Sequence, residues 1–280
     1  MIDRLWNDIE ILNTNNELSK DSLENDVTIN KYYFQKIDTK QKFENYIVGK
    51  TNVKAHNLTL TCALNPGIVY NPLFIYGKSG MGKTHLLNAI AYLSISENTI
   101  SNIAIIDGIK LKDCIEKYVK EGRLNELTSI FNDLDMLLID DIQFIANNSQ
   151  TQEVLVNIFD NMLHNNKQII VTADKYIKDI KGIEDKLVTR LVGGLVTRLL
   201  TLDYKTATNI IKSKIKYIYG FEISDDVVDY LATNFANDVR TLEGALNRLF
   251  FYSLYFANDG GQITLELAKK AFKDICDDEK

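Results

Sequence analysis

Two stretches of the chain carry side chains spaced for phosphate chemistry. In the first, Gly77, four intervening residues, then Gly82, Lys83 and Thr84 fit the phosphate-loop pattern G-x-x-x-x-G-K-[ST]. Glycine at Gly77, Gly80 and Gly82 lets the backbone turn its N–H groups toward an anion without interference from a Cβ. Lys83 sets a compact positive charge against the β- and γ-phosphates, and the Thr84 hydroxyl suits Mg²⁺. In the second stretch, the apolar run Met136 to Ile139 ends in Asp140 and Asp141. Burying such a strand leaves its carboxylates at the C-terminal edge, where ligands of open α/β sheets sit. Asp140 is expected to hold Mg²⁺, directly or through water, and Asp141 to orient or activate an attacking water. An acid after an apolar run is a weak signal by itself. Downstream of a phosphate loop it becomes a strong one.

Further polar side chains follow in order. Thr172 and Asp174 end the next apolar stretch, where a side chain could contact the γ-phosphate or its water; an ordinary strand-ending turn fits them equally. Arg190, ahead of Gly193 and Gly194, could reach a neighbouring subunit's nucleotide and stabilise negative charge during phosphoryl transfer. A solvated surface arginine is the plainer alternative. Arg240 falls in the first turn of a helix, where the dipole disfavours a cation. A bound phosphate would compensate, so Arg240 reads as a nucleotide contact.

The elements that must position these groups are legible as short apolar runs between amphipathic segments. Leu73–Tyr76 reads as a buried strand, and the helix after the loop places Leu86, Ala89, Ile90 and Leu93 on one face. Its N-terminus then points at the loop and favours phosphate. Further strands are expected at 103–106, 136–139 and 168–171 and within 195–202. Helices are expected around 111–120 and 124–134, and through Leu155, Ile158, Phe159 and Met162. Upstream, Phe43 to Val48 looks strand- or turn-like, and 53–64 reads as a helix ended by Asn65-Pro66-Gly67. Strands separated by helices imply an α/β fold, a parallel sheet covered on both faces.

After Asp203 only helical patterns remain. One stripe runs Ala207, Ile210, Ile211, Ile215 and Ile218 to a stop near Gly220. Ser224, Asp238 and Thr264 are candidate caps for three more helices. The expected organisation is a short N-terminal helix and polar linker at 1–30, an α/β nucleotide-binding core at 31–202 and a helical lid at 203–280. Within the first segment, Leu5, Trp6, Ile9 and Leu12 have helical spacing. That start is read either as a frayed helix resting on the body or as a partner-docking segment.

Composition narrows the classes. A chain of 280 residues can bury a full core. A formal charge of −6 and a pI near 5.2 argue against a nucleic-acid binder working through bulk electrostatics. Cys62, Cys114 and Cys276 are far apart and lack metal-ligand spacing, and His56, His85 and His164 are scattered. No apolar run reaches transmembrane length and no signal-peptide pattern opens the chain, so a soluble, cytoplasmic protein is expected.

Taken together, the motifs resemble the AAA+ domain of the bacterial chromosomal replication initiator DnaA family. The resemblance is carried by Asn71 to Gly77 with Gly82-Lys83-Thr84-His85-Leu86-Leu87, and by Leu137-Leu138-Ile139-Asp140-Asp141-Ile142-Gln143-Phe144. Val239 to Arg248 is similar to that family's sensor 2 helix, and Asp185 to Gly194 to its arginine-finger segment. The likeness covers roughly residues 30–278. It implies a five-stranded parallel sheet followed by a small helical lid.

By that resemblance Gly77, Gly82, Lys83 and Thr84 form Walker A, with Gly80 and His85 beside them as nucleotide contacts. Asp140 and Asp141 form Walker B, Asp174 is sensor 1, Arg190 is an arginine finger acting in trans, and Arg240 is sensor 2. Ile47, Val48 and Gly49 match the stretch near the adenine. ATP or ADP with Mg²⁺ are the implied cofactors. Slow hydrolysis would act as a switch on head-to-tail self-assembly, with contact to single-stranded origin DNA. Such an interface is heterologous and non-closing.

The chain departs from the family pattern in three respects. It stops where the C-terminal helix-turn-helix domain should begin, so sequence-specific duplex binding is not expected. The N-terminal partner-binding domain is absent or reduced to residues 1–12. Positions commonly basic after Walker B are Asn148 and Gln150, and Glu116 lies on the matching helix of the initiator-specific insertion. Lys117, Lys120 and Arg123 could substitute as DNA contacts or simply form a solvated face. These departures keep a second class open: a stand-alone regulator of the Hda type, or a helicase-loader relative, acting on a full-length initiator without its own grip on DNA.

Overall fold

The computed structural model describes residues 34–216, 223–256 and 263–273. Its centre is a five-stranded parallel sheet of order β2-β3-β4-β1-β5. The strands are β1 (Leu73–Tyr76), β2 (Ile103–Asp107), β3 (Met136–Asp140), β4 (Gln168–Ala173) and β5 (Leu195–Arg198). All residues of β3 and β4 are buried, which is why both read as continuous apolar runs rather than as alternating ones.

Helices cover both faces. α1 (Val53–Leu64) and α2 (Lys83–Ser96) pack together on one side. Their Ala55, Cys62, Leu86 and Ile90 join Leu73, Ile75, Leu138 and Ile170 in one apolar cluster, with the alternate residue Phe74 excluded from it. α3 (Gly108–Lys120) and α4 (Leu124–Asn132) follow β2, α5 (Ser149–His164) packs on β4, and α6 (Asp185–Val192) on β1 and β5. The α3 helix starts three residues earlier than its apolar stripe because the Asp107 carboxylate accepts the Lys110 N–H and caps it at 2.9 Å.

Beyond β5 only helices occur among the described residues: α7 (Tyr204–Lys214), α8 (Asp225–Phe235), α9 (Val239–Phe256) and α10 (Leu265–Ala271). They share a second apolar cluster that includes Ile210, Ile211, Ile215, Leu231, Leu242, Leu246 and Phe272. Asp203, Asp238 and Thr264 accept the backbone N–H of Thr206, Thr241 and Leu267 and start three of these helices. Ser224 stands at the N-cap of α8 without a side-chain cap bond.

The segment Phe43 to Val48 is a turn, not a strand: Phe43–Asn45 is a single 3-10 turn closed by the Tyr46 N–H on the Phe43 carbonyl. Expectations for residues 1–30, Ile218, Gly220 and Cys276 lie outside the described residues. Among the described residues no helix is long and apolar enough to cross a membrane. No group of three or more His, Cys, Asp or Glu side chains gathers there as a ready-made metal site.

Candidate functional site

The site forms where parallel register brings the ends of β1, β3 and β4 side by side. Tyr76 pairs with Ala173 and Ile139 with Val171, so the loop after Tyr76 and the acids after Ile139 emerge next to each other. The Gly77 N–H donates to the Ala173 carbonyl at 3.2 Å, tying the first loop residue to the neighbouring strand. The loop itself turns on left-handed glycines, Gly80 at φ +77° and Gly82 at φ +92°, conformations that cost an ordinary L-residue strain. Lys83 opens α2, so the N-terminal N–H groups of a fourteen-residue helix face the loop.

Lys83 is buried, and its ammonium donates to the carbonyls of Gly77 at 2.9 Å and Lys78 at 3.3 Å. Its Nζ lies 3.9 Å from the Asp141 carboxylate. Burial pulls its pKa below the usual lysine value, opposed by Asp141, Asp140 and Asp174 and reinforced by Arg240. Asp140, also buried, accepts from the Thr84 hydroxyl at 2.6 Å and from the Thr172 hydroxyl at 2.5 Å. Burial pushes its pKa up; the two hydroxyl donors and Lys83 work the other way. Asp141 is a non-glycine residue at φ +54°, which swings its carboxylate out of the strand line toward the loop.

Thr172 differs from its expected role. It is completely buried, and its hydroxyl is shared between the Asp140 carboxylate and the Asp141 N–H, the latter at 2.9 Å. It therefore holds the two acids in place rather than facing a phosphate. Asp174, the residue immediately after β4, is half-buried, donates its N–H to the Gln143 side-chain oxygen at 3.3 Å, and bears electrostatically on Lys83.

The helical segment closes over the loop. The Val239 N–H donates to the Gly80 carbonyl at 3.0 Å, and the Arg240 guanidinium donates to the Ser79 hydroxyl at 2.7 Å. Gly80 has no room for a side chain, since a Cβ there would stand 2.6 Å from the Asp238 carboxylate that caps α9. Gln41, Ser79, Gly82, Thr84, Asp141 and Arg240 all border the resulting polar pocket.

Beside it opens a less polar cleft between Tyr46, Ile47 and His85 on one wall and Ile210, Lys214 and Glu243 on the other. His85 is fixed by its Nε2 against the Lys42 carbonyl at 2.8 Å and by an edge contact to the Tyr46 ring. Burial lowers its pKa, with the Lys42 carbonyl opposing, so the neutral ring is favoured. Lys214 and Glu243 form an ion pair across α7 and α9.

Not every expected contact meets here. Ile47 borders the cleft, whereas Val48 and Gly49 border a separate groove with Asp203, Tyr204 and Thr206. A Cβ on Gly49 would overlap the Thr206 hydroxyl at 1.8 Å, so its glycine serves close approach to α7. Arg190 is not among the residues bordering either pocket; its guanidinium grips Asp160 on α5. Sequence reasoning missed Tyr46, Lys214 and Glu243. The first adjoins Ile47 and was within reach, but the two charged residues are brought in only by the packing of α7 and α9.

The donor set fits a nucleoside triphosphate with Mg²⁺. A glycine loop that a Cβ would obstruct, a buried lysine whose ammonium donates to loop carbonyls, and a hydroxyl–carboxylate pair at 2.6 Å are what phosphates and an oxygen-seeking cation require. Such a loop on a parallel sheet, roofed by a helical lid, defines a phosphate-loop protein of the AAA+ class.

Residues 37–198 match the model of the bacterial DnaA ATPase domain. The structure is similar to domain III of the replication initiation protein DnaA from Thermotoga maritima, with TM-score 0.78 and 32% identity over 86% of this chain and 98% of that one. It is similar to AMPPCP-bound DnaA from Aquifex aeolicus, with TM-score 0.71 and 28% identity over 87% of this chain and 85% of that one. A replication initiator DnaA bound to AMPPCP and single-stranded DNA matches with TM-score 0.70 and 29% identity over 87% and 85%. The chain belongs to the family of bacterial DnaA ATPase domains, the AAA+ ATPases of DNA replication initiation.

Proposed function

We propose that this chain binds ATP with Mg²⁺ in the cleft and uses the nucleotide's state to switch head-to-tail self-assembly, hydrolysing ATP slowly as the reset. The observation that carries the reading is the convergence of loop and lid. Val239 and Arg240 bond directly to Gly80 and Ser79, so a γ-phosphate on the loop is felt by the helical segment. AMPPCP, an ATP analogue, is bound by the Aquifex aeolicus relative.

In this reading Gly77, Gly80, Gly82 and Lys83 hold the phosphates, and the base enters between Ile47, His85 and the lid. Val48 and Gly49 shape the approach of α7. Thr84 and Asp140 would hold Mg²⁺, which when bound neutralises charge on the phosphates. Asp141 orients the attacking water, Asp174 acts beside it as sensor 1, and Arg240 answers to the γ-phosphate from the lid. Arg190 serves the next protomer's nucleotide. We propose the same division of labour as expected from the sequence: 1–30 as N-terminal segment, 31–202 as nucleotide core and 203–280 as lid.

Single-stranded DNA is bound by one relative. Here we propose only a weak, salt-sensitive, ATP-dependent contact through α3 and α4. One observation favours the second reading, a regulator acting on an intact initiator. Glu116 is held by the Asn148 amide at 2.6 Å and flanked by Lys112 and Lys120 at 3.9 Å, and Arg123 is held by Glu121 and Glu126 at 2.8 and 2.6 Å. Charges so paired offer little to a phosphate backbone. Sedimentation with ATP, ADP or neither, with and without a single-stranded oligonucleotide, tests both readings. ATP-specific assembly supports the switch, and its failure to recruit the oligonucleotide selects the regulator. Equal sedimentation in all nucleotide states refutes self-assembly.

A further inference from the structure

The Arg190 side chain is held at two points by one carboxylate. Its Nε donates to one oxygen of Asp160 at 2.5 Å and its Nη2 to the other at 3.0 Å. This is a side-on, two-point grip. A guanidinium has five N–H groups in a fixed plane, so both N–H groups of Nη1 and one of Nη2 stay open at the far end.

The grip is anchored on both sides. Arg190 lies in the last turn of α6 between buried Leu187 and Leu191, and Asp160 follows buried Phe159 on α5. The pair itself is exposed, with relative side-chain exposures of 40% and 44%, where ion pairs contribute little to folding. Its effect is on conformation. An arginine without the grip must give up its rotamer freedom on meeting a phosphate, and a held one has already done so.

We infer that Asp160 is the positioning residue of Arg190, fixing the inner edge of the guanidinium so that the outer edge is presented to a phosphate group of a neighbouring copy of this chain. The inference rests on the proposed role of Arg190 in trans. It adds Asp160 to the composite site as a residue that touches no nucleotide. The ion pair persists in the assembled state, because phosphate and carboxylate use different edges.

The test uses the full chain with Asp160→Asn, Asp160→Glu and Arg190→Ala, following ATP hydrolysis against ATP and protein concentration, with ATP-induced thermal shifts as the binding control. Asp160→Asn keeps the size but loses the charge and one acceptor. It is expected to retain the ATP-induced shift and the KM while lowering kcat on the order of tenfold, within the roughly hundredfold that a 1 Å misplacement can cost. Asp160→Glu should recover part of that loss, and Arg190→Ala should fall further than either. If Arg190→Ala is impaired while Asp160→Asn hydrolyses at the parent rate or faster, the positioning role is overturned and the role of Arg190 survives. If Arg190→Ala matches the parent, the trans role itself fails and takes the inference with it.

Discussion

Replacing Thr172 by valine tests whether the two acids are held from behind. The substitution keeps the shape of a fully buried side chain and removes one hydroxyl. That hydroxyl donates to the Asp140 carboxylate at 2.5 Å and accepts the Asp141 N–H at 2.9 Å. A hydrogen bond to a charged group contributes about 1.5–3 kcal/mol and a neutral one about 0.5–1.5 kcal/mol. The added methyl returns about 0.8 kcal/mol of burial. The expected loss is therefore about 1–4 kcal/mol, or a Tm lower by about 2–16 °C at roughly 2–4 °C per kcal/mol for a chain near this size.

Function should move with it. Asp140 would keep only the Thr84 hydroxyl as donor, so its carboxylate becomes still easier to protonate and a poorer partner for Mg²⁺. The rise in Tm on adding Mg²⁺ and ATP should shrink in Thr172→Val and persist in Thr172→Ser, which retains the hydroxyl. The assay is scanning calorimetry of the three proteins with and without nucleotide. A valine variant within about 1 °C of the parent, with an unchanged nucleotide shift, would refute the account, because the bonds would then contribute far less than their burial requires.

Asp140→Asn should behave in the opposite sense in the nucleotide-free protein. Burial raises the folded-state pKa of Asp140 above its unfolded value, so its favourable contribution is present below the unfolded pKa and lost as pH rises through the raised one. The variant's Tm relative to the parent should thus climb as pH rises above the usual carboxylate value of about 4, measured by thermal melts across pH, while its Mg²⁺-dependent ATP shift disappears. Lys83→Ala should leave the nucleotide-free Tm nearly unchanged, because burial already disfavours the charged ammonium, yet abolish a stabilisation of about 2.7 kcal/mol expected at a hundredfold excess of ATP over Kd. A retained ATP shift in that variant would remove the central lysine from the site. Gly80→Ala forces a Cβ onto a φ of +77° and against Asp238. It should cost about 1–2 kcal/mol in melts and weaken ATP binding by loosening α9 from the loop.

Sequence alone determined the identity of the phosphate loop, the paired acids and the parallel α/β class. These are local facts: glycine spacing follows from backbone freedom, and an apolar run ending in acids follows from burying a strand whose end faces ligand. Cap residues at Asp238 and Thr264 were legible for the same reason, since each bonds within its own turn, whereas Ser224 makes no cap bond and the cap at Asp203 went unread. The role of Thr172 was not legible, because whether a strand-end hydroxyl faces a phosphate or a neighbouring strand depends on the register of β3 against β4. Nor was the direct bond between the lid and the loop, or the meeting of Lys214, Glu243 and His85 around one cleft. Asp160 and Arg190 are thirty residues apart with nothing in their spacing to join them. Only the packing of α5 against α6 makes them a pair, since long-range contacts are chosen by how whole elements bury their apolar faces.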